Sequence, residues 1–444
     1  MVNWRRKKSM GAVCTNPKSM GEQVEEENGR ANSSPDENKN VPGDLRYSDN
    51  GNDIPLIPDD NDEEEMENDA IAARETVQKE IEDHRRRAAY TKSVFHHAQT
   101  DRDTVNSTRS LYDSDVIYLQ QHGRVYVGDY YMPIDEEELD RLRIIHQIYL
   151  QIFDNQLTTV PLKSPTRILD IGTGAGDWAM GMGDLWPSAE IIGTDIAKVQ
   201  PTAVPFNVFF EIDDAEEEGG WTWPANEFDL VHLRNMAGAF SDWDHIYSEA
   251  FIHLKPGGWI EIMDFDDHAA FLTFFDKDSP MPALLHALGE AARIAGRPRG
   301  IAHLQPEKLK NLGFVDVEVK EFGIPMGPWP DDKTQKTIGR LWLVSMLSAL
   351  EASTLRLLTQ ALGWEEEEVR RICVSSGEEM RRVSLDVERA RGLKTVARVL
   401  VGRKPGWEVD ADADANGDAD GDGESVVTET RTINGDGNIK LNGE

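Results

Sequence analysis

Between residues 167 and 263, short apolar runs alternate with amphipathic segments. The runs at 167–171, 208–212, 228–233 and 259–263 are rich in Ile, Leu, Val and Phe and end on acids, turn residues or Arg234. Continuous apolar runs of this length read as strands buried on both faces. A further short run, 190–193, closes on Asp195. Helix-period segments lie between them, one reaching about Trp186 and one running from about Trp243 to Leu254. Lys255, Pro256, Gly257 and Gly258 stop the second. Successive strand–helix steps predict an α/β domain with a doubly wound, mostly parallel sheet.

Upstream, Asp135 and Glu136–Glu138 open a helix whose stripe is Leu139, Leu142, Ile145, Ile148 and Tyr149. Acids at that end suit the helix dipole. Before it, aromatics alternate with turn residues from Tyr112 to Tyr131, which predicts a hairpin or lid turning at Gly123 and Gly128. Residues 69–100 are helix-permissive with a thin apolar face and predict a partly solvated helix. Downstream, 280–296 reads as a helix and 314–319 as a strand. A long apolar-periodic stretch, 334–362, and a charged helix, 365–391, form a helical insertion before a last strand, 396–401. Trp342, Met346 and Leu350 recur at helical spacing and are expected to serve the core rather than a substrate.

The turn after the first strand carries the chemistry. Asp170, Gly172, Gly174 and Gly176 form D-x-G-x-G-x-G. Glycines there permit left-handed backbone and close approach of a ligand. A dinucleotide fingerprint needs its third glycine at position 177, which is Asp177. The pattern instead suits an adenosine-containing cofactor with an amino-acid end. Backbone N–H groups meet its carboxylate, Asp170 its ammonium, and Asp195 accepts from two ribose hydroxyls. S-adenosylmethionine fits this chemistry and NAD fits it poorly.

Composition narrows the picture. The formal net charge of the 444 residues is −34. Residues 1–69 and 408–444 are acidic and low in apolar content, and they are expected to be disordered. An acidic field argues against direct nucleic-acid binding. Only Cys14 and Cys373 occur, so no disulfide framework is expected. No apolar run suggests a membrane span of roughly 20 residues. The basic run Arg5, Arg6, Lys7 and Lys8 reads as a nuclear address or a solvated cluster, consistent with a cytoplasmic or nuclear protein. His96 and His97 lack a third ligand, and no metal site is assigned. Asp418, Asp420, Asp422, Gly423 and Glu429 match a calcium-loop pattern without flanking helices, and are read as low complexity.

The stretches RILDIGTGAGDWA, IIGTDIAKVQP, FEIDDAEE, FDLVHLRNMAGAFSDW, HLKPGGWIEI, PMGPWP and GRKP occur in this order. On them, the body resembles fungal class I S-adenosylmethionine-dependent methyltransferases of the LaeA-like type, associated with secondary metabolism. The resemblance covers roughly residues 120–405. It implies a Rossmann-like class I fold with an N-terminal lid, a transferase domain over 107–407 and a helical cap at about 334–391. It places the three glycines at the methionine end, Asp195 at the ribose, and Ile196 beside the adenine. Asp214, followed by Ala215, would accept from the adenine amino group. Arg234 and Asn235 would lie beneath the sulfonium, with Tyr126 and Tyr131 closing over it.

Methyl transfer from a sulfonium needs chiefly proximity and alignment. A base is required only where the acceptor must lose a proton. Asp264, Asp266 and His268 are the nearest candidates, each weighed against a solvated loop role, while His232 reads as a packed core residue. The acceptor is a small molecule or a protein. The alternative is a cofactor-binding regulatory subunit of a protein complex, with little turnover.

Overall fold

The computed structural model describes residues 60–91, 116–217, 219–266 and 269–406. These belong to one compact unit spanning Leu56–Glu444. The basic run, the histidine pair, the calcium-loop match, the low-complexity tail and His268 lie outside the described residues.

In chain order the elements are α1 (Asp60–Thr91), β1 (Tyr118–Gln121), β2 (Arg124–Val127), α2 (Glu136–Ile152), β3 (Arg167–Ile171), α3 (Asp177–Leu185), β4 (Glu190–Asp195) and β5 (Val208–Ile212). There follow β6 (Phe228–Arg234), α4 (Trp243–His253), β7 (Leu254–Asp266), α5 (Ala269–Leu272), α6 (Pro280–Ile294) and α7 (Pro306–Asn311). The chain closes with β8 (Val315–Pro325), α8 (Lys333–Ala361), α9 (Glu366–Leu385) and β9 (Lys394–Arg403).

The seven-stranded sheet has the order β5-β4-β3-β6-β7-β9-β8. The strands from β5 to β7 pair in parallel, and β9 runs antiparallel between β7 and β8. Alternation along each strand explains why both faces are apolar. Ile168 and Ile191 enter one core with α2, α3 and α8, while Leu169 and Ile192 enter a second with α4 and α7. The order reverses between β3 and β6, so their C-terminal ends open the crevice where α/β sheets take ligands.

The lid hairpin turns on His122 (φ 53°) and Gly123 (φ 78°), both left-handed as a two-residue primed turn requires. Arg124 clamps it to α2. Its Nε and Nη2 each donate to Asp135 at 2.7 Å, and Asp135 also accepts from the Glu138 N–H as the helix cap.

Helix α1 starts nine residues before the predicted segment. Its buried residues Met66, Ala70 and Ala73 dock on the body, and Arg340 of α8 pairs with Glu65 and Asp69. Helix α8 is, among the described residues, long and apolar enough to cross a membrane by length and composition, which the sequence reading did not register. It packs against α2, α6 and α9, and residues such as Leu341, Leu343 and Leu355 are buried in doing so. It is a core helix of the insertion.

Candidate functional site

The loop after β3 is built by three left-handed glycines: Gly172 (φ 67°), Gly174 (φ 57°) and Gly176 (φ 83°). Thr173 N–H donates to Thr194 O at 2.9 Å, which ties the loop to β4. A Cβ on Gly172 would lie 2.3 Å from Met236 Sδ. Gly172 and Gly174 line a cavity of about 630 Å³ above the strand ends. That volume falls in the range of small-molecule sites. Gly176 differs from the expectation. It caps α3 beneath the Phe210 ring, where a Cβ would fall 2.3 Å from Cζ, and it is outside the cavity wall. Its role is to bring α3 against β5.

Asp195 ends β4 in the cavity wall. Its Oδ2 accepts from Gly174 N–H at 2.9 Å and its Oδ1 from Ala197 N–H at 3.0 Å. Burial pushes its carboxyl up to about 6, against those hydrogen bonds and with Asp170 adding to the rise. Each carboxylate oxygen keeps acceptor capacity for a further donor. Ile196, Asp214 and Ala215 line the same wall, with Asp214 exposed and accepting from Glu216 N–H at 3.0 Å. Asp213 joins them, its carboxyl pushed up to about 6 by burial and by neighbouring Glu211, Glu217 and Asp214.

Asp170 also reaches the wall; each of its oxygens accepts one bond, as in Asp195, but the carboxylate is buried. Oδ1 accepts from His232 Nδ1 at 2.7 Å and Oδ2 from Thr173 Oγ1 at 2.6 Å. It is 3% exposed. Its first duty is therefore to brace the glycine loop. His232 is fully buried and stacked on Trp178, with centroids 3.7 Å apart, as the core reading expected.

At the end of β6, Arg234 and Asn235 both line the cavity. Asn235 is left-handed (φ 59°) and its Oδ1 accepts from Tyr149 at 2.9 Å. The Arg234 guanidinium lies 4.9 Å from the Tyr149 ring centroid and donates to His146 Nδ1 at 3.2 Å. Burial, with Arg234 and His232 nearby, holds His146 well below the usual imidazole range, so it is neutral and accepts.

The lid tyrosines divide. Tyr131 lines the cavity, donates to Ala237 O at 3.2 Å and accepts from Arg299 at 2.7 Å. Tyr126 is fully buried beneath Arg356, 4.8 Å from its ring centroid, and does not reach the cavity. Arg356 also donates to Tyr130 O and Gly128 O, both at 2.7 Å, and so straps the lid to α8. Arg356→Ala removes two charge-assisted bonds to lid carbonyls. Local opening of residues 128–131 should become easier by about 2 kcal/mol, roughly 30-fold faster amide exchange by mass spectrometry. Unchanged exchange there would remove the strap.

Asp264, weighed as a solvated loop residue, is instead 2% exposed on β7 and faces the cavity. It accepts from Ala237 N–H at 3.2 Å and from His303 Nε2 at 2.8 Å, and His303 is stacked on Trp243. Asp266, at the end of β7, is not among the lining residues. Trp342, Met346 and Leu350, expected to serve only the core, also line the cavity, with Met281, Leu284 and Leu288 of α6 opposite. Sequence reasoning missed Arg299 and His303 as well. Neither lies in a motif, and only the return of the chain after α6 brings Arg299 to the loop after β6 and His303 to Asp264 on β7.

The residues fit S-adenosylmethionine. A left-handed glycine loop in which Gly172 leaves no room for a side chain, a half-free carboxylate on β4 and an apolar–acidic pair on the β5 loop share one wall. Gly172, Gly174 and Arg234 would hold its amino-acid end, Asp195 the ribose, and Ile196, Asp214 and Ala215 the adenine. When bound it supplies an activated methyl group.

Comparison with known proteins agrees. Residues 144–313 match a family described as a methyltransferase domain. The chain is 36% identical over 279 residues to the methyltransferase pytC of Aspergillus terreus, covering 60% of this chain and 84% of that protein. It is 34% identical over 255 residues to the secondary metabolism regulator LAE1 of Cochliobolus heterostrophus, covering 55% and 83%. With the regulator laeA of Aspergillus flavus the identity is 29% over 282 residues, covering 61% and 74%. The chain belongs to the LaeA-like family of S-adenosylmethionine-dependent methyltransferases.

Proposed function

We propose that the protein methylates a small molecule of secondary metabolism, with residues 107–407 as the transferase domain. One observation carries the reading: the cavity that holds the cofactor residues continues, under the lid, into an apolar chamber between α6 and α8. A chamber enclosed by helices accommodates a compact acceptor better than a protein surface. The chain's own residues bind, align and exclude water, which are the main demands of an in-line displacement. The relatives' printed names, a methyltransferase and two regulators of secondary metabolism, support the setting. The regulators also support a second reading, a cofactor-binding subunit of a regulatory complex. Cytoplasmic or nuclear placement rests on the basic run at 5–8 alone.

Incubation of the full chain with methyl-labelled S-adenosylmethionine and fungal extract separates these readings. Label in the solvent-extractable fraction is expected. Label confined to protein would contradict a small-molecule acceptor, and cofactor binding without any transfer would favour the regulatory subunit.

A further inference from the structure

Four arginines line the cavity, and three have evident partners. Arg141 is forked onto Glu138, Arg297 pairs with Glu216, and Arg234 is held by neutral His146 over Tyr149. Arg299 differs from Arg141 and Arg297: like Arg234, it has no carboxylate partner among the described residues. It donates to the Tyr131 hydroxyl at 2.7 Å, its guanidinium lies 5.5 Å from that ring's centroid, and its buried Nε has no hydrogen-bond partner. A cation in a cavity wall with an unsatisfied N–H is costly unless a ligand anion completes it.

Its position is informative. Tyr131 is bonded to Ala237 O in the loop after β6, and the same loop leaves no slack. A Cβ on Gly238 would lie 3.2 Å from Arg299 Cγ and 3.3 Å from the Tyr131 hydroxyl. Tyr131 also packs into the apolar cluster with Leu284 and Leu288 of α6 and Leu355 of α8. A cation at the cofactor edge thus adjoins an apolar chamber through one shared side chain. Asp264, the wall carboxylate on β7 beside that loop, is already engaged by Ala237 N–H and His303.

We propose that the methyl acceptor is an apolar small molecule bearing one anionic oxygen, a carboxylate or an enolate. Arg299 holds its charge, and its apolar body fills the chamber between α6 and α8. This rests on the assignment of the cavity to methyl transfer. The guanidinium fork matches an oxyanion and repels an ammonium. Transfer to such an oxygen forms one O–CH3 bond, breaks the CH3–S bond, and cancels one positive and one negative charge. No proton need be removed, so the reaction requires no general base.

Calorimetry on the full chain tests this with 2-naphthoate, 2-naphthalenemethanol and 2-naphthylmethylamine, beside S-adenosylhomocysteine. The acid should bind at least about tenfold more tightly than the alcohol, with the amine weakest. That preference should collapse in Arg299→Gln and survive in Arg299→Lys. Retained binding of S-adenosylhomocysteine within about twofold shows that the variants fold. Equal binding of acid and alcohol to the wild type overturns the proposal, as does an undiminished acid preference in Arg299→Gln. A wild type that prefers the acid but does not bind S-adenosylhomocysteine would overturn the methyl-transfer reading and leave the anion site standing.

Discussion

Asp195→Ala is expected to lower affinity for S-adenosylmethionine at least about tenfold, measured by calorimetry. The carboxylate stands at the C-terminal end of β4, and each oxygen already accepts one backbone N–H. The acceptor capacity that remains suits two ribose hydroxyls. Hydrogen bonds to a charged acceptor contribute about 1.5–3 kcal/mol each, so losing either alone is worth roughly tenfold. The same group predicts a pH dependence. Burial pushes its carboxyl to about 6, and hydroxyl donors from the ligand favour the ionised form. Binding therefore releases protons near that pH, and affinity should fall as pH drops from neutral through 6. In Asp195→Asn, which keeps an acceptor oxygen but does not titrate, that dependence should weaken to what Asp213 in the same wall contributes. A wild-type affinity flat across this window would separate Asp195 from the ligand.

Gly327→Ala should destabilise the fold by about 3 kcal/mol or more, seen as a lower denaturant midpoint at unchanged slope. Gly327 lies beyond β8 with φ 87°, and an added Cβ would fall 2.1 Å from the Ser384 carbonyl oxygen. Its N–H donates to Gly339 O at 2.9 Å, where α8 passes with no side chain between. The clash is backbone against backbone, so no rotamer change relieves it. The end of β8, the start of α8 and the end of α9 meet at this point, and the site's apolar wall hangs from them. Gly392→Ala is the contrast. It has a similar φ of 90° but nothing within 4 Å of the added Cβ. It should lose only about 1–2 kcal/mol of conformational strain. Equal losses in the two variants would show that the contact is not the cause.

The central strands were legible because parallel strands buried on both faces leave continuous apolar runs, and β3 and β5 fall where those runs lie. The outer strands were read too short. β8 continues through Lys320 and Glu321 to Pro325 because it stays paired with β9 as far as Lys394, a non-local pairing with no local pattern, and Arg398 reaches Glu321 across it. β7 begins at Leu254 because the Lys255–Gly258 segment pairs on as part of a strand with a bulge, where sequence suggests only a turn. Helix α1 reaches back to Asp60 through acids that no apolar period marks.

In the site, the cofactor side was readable because its residues sit within four consecutive strand–loop units. Even so, Gly176 in the loop and Tyr126 on the lid proved to pack elements together, since a glycine or tyrosine in a motif does not declare which side it faces. The acceptor side was not readable. Trp342, Met346 and Arg299 converge on Tyr131 from segments up to about 200 residues away, and only the tertiary fold gives them a common wall.

The most direct test of the account is the crystal structure of the full chain with S-adenosylhomocysteine. The account predicts both ribose hydroxyls within hydrogen-bonding distance of the Asp195 carboxylate, with the adenine against Ile196 and Asp214. Adenosine bound elsewhere, or a ribose that leaves Asp195 uncontacted, would contradict it.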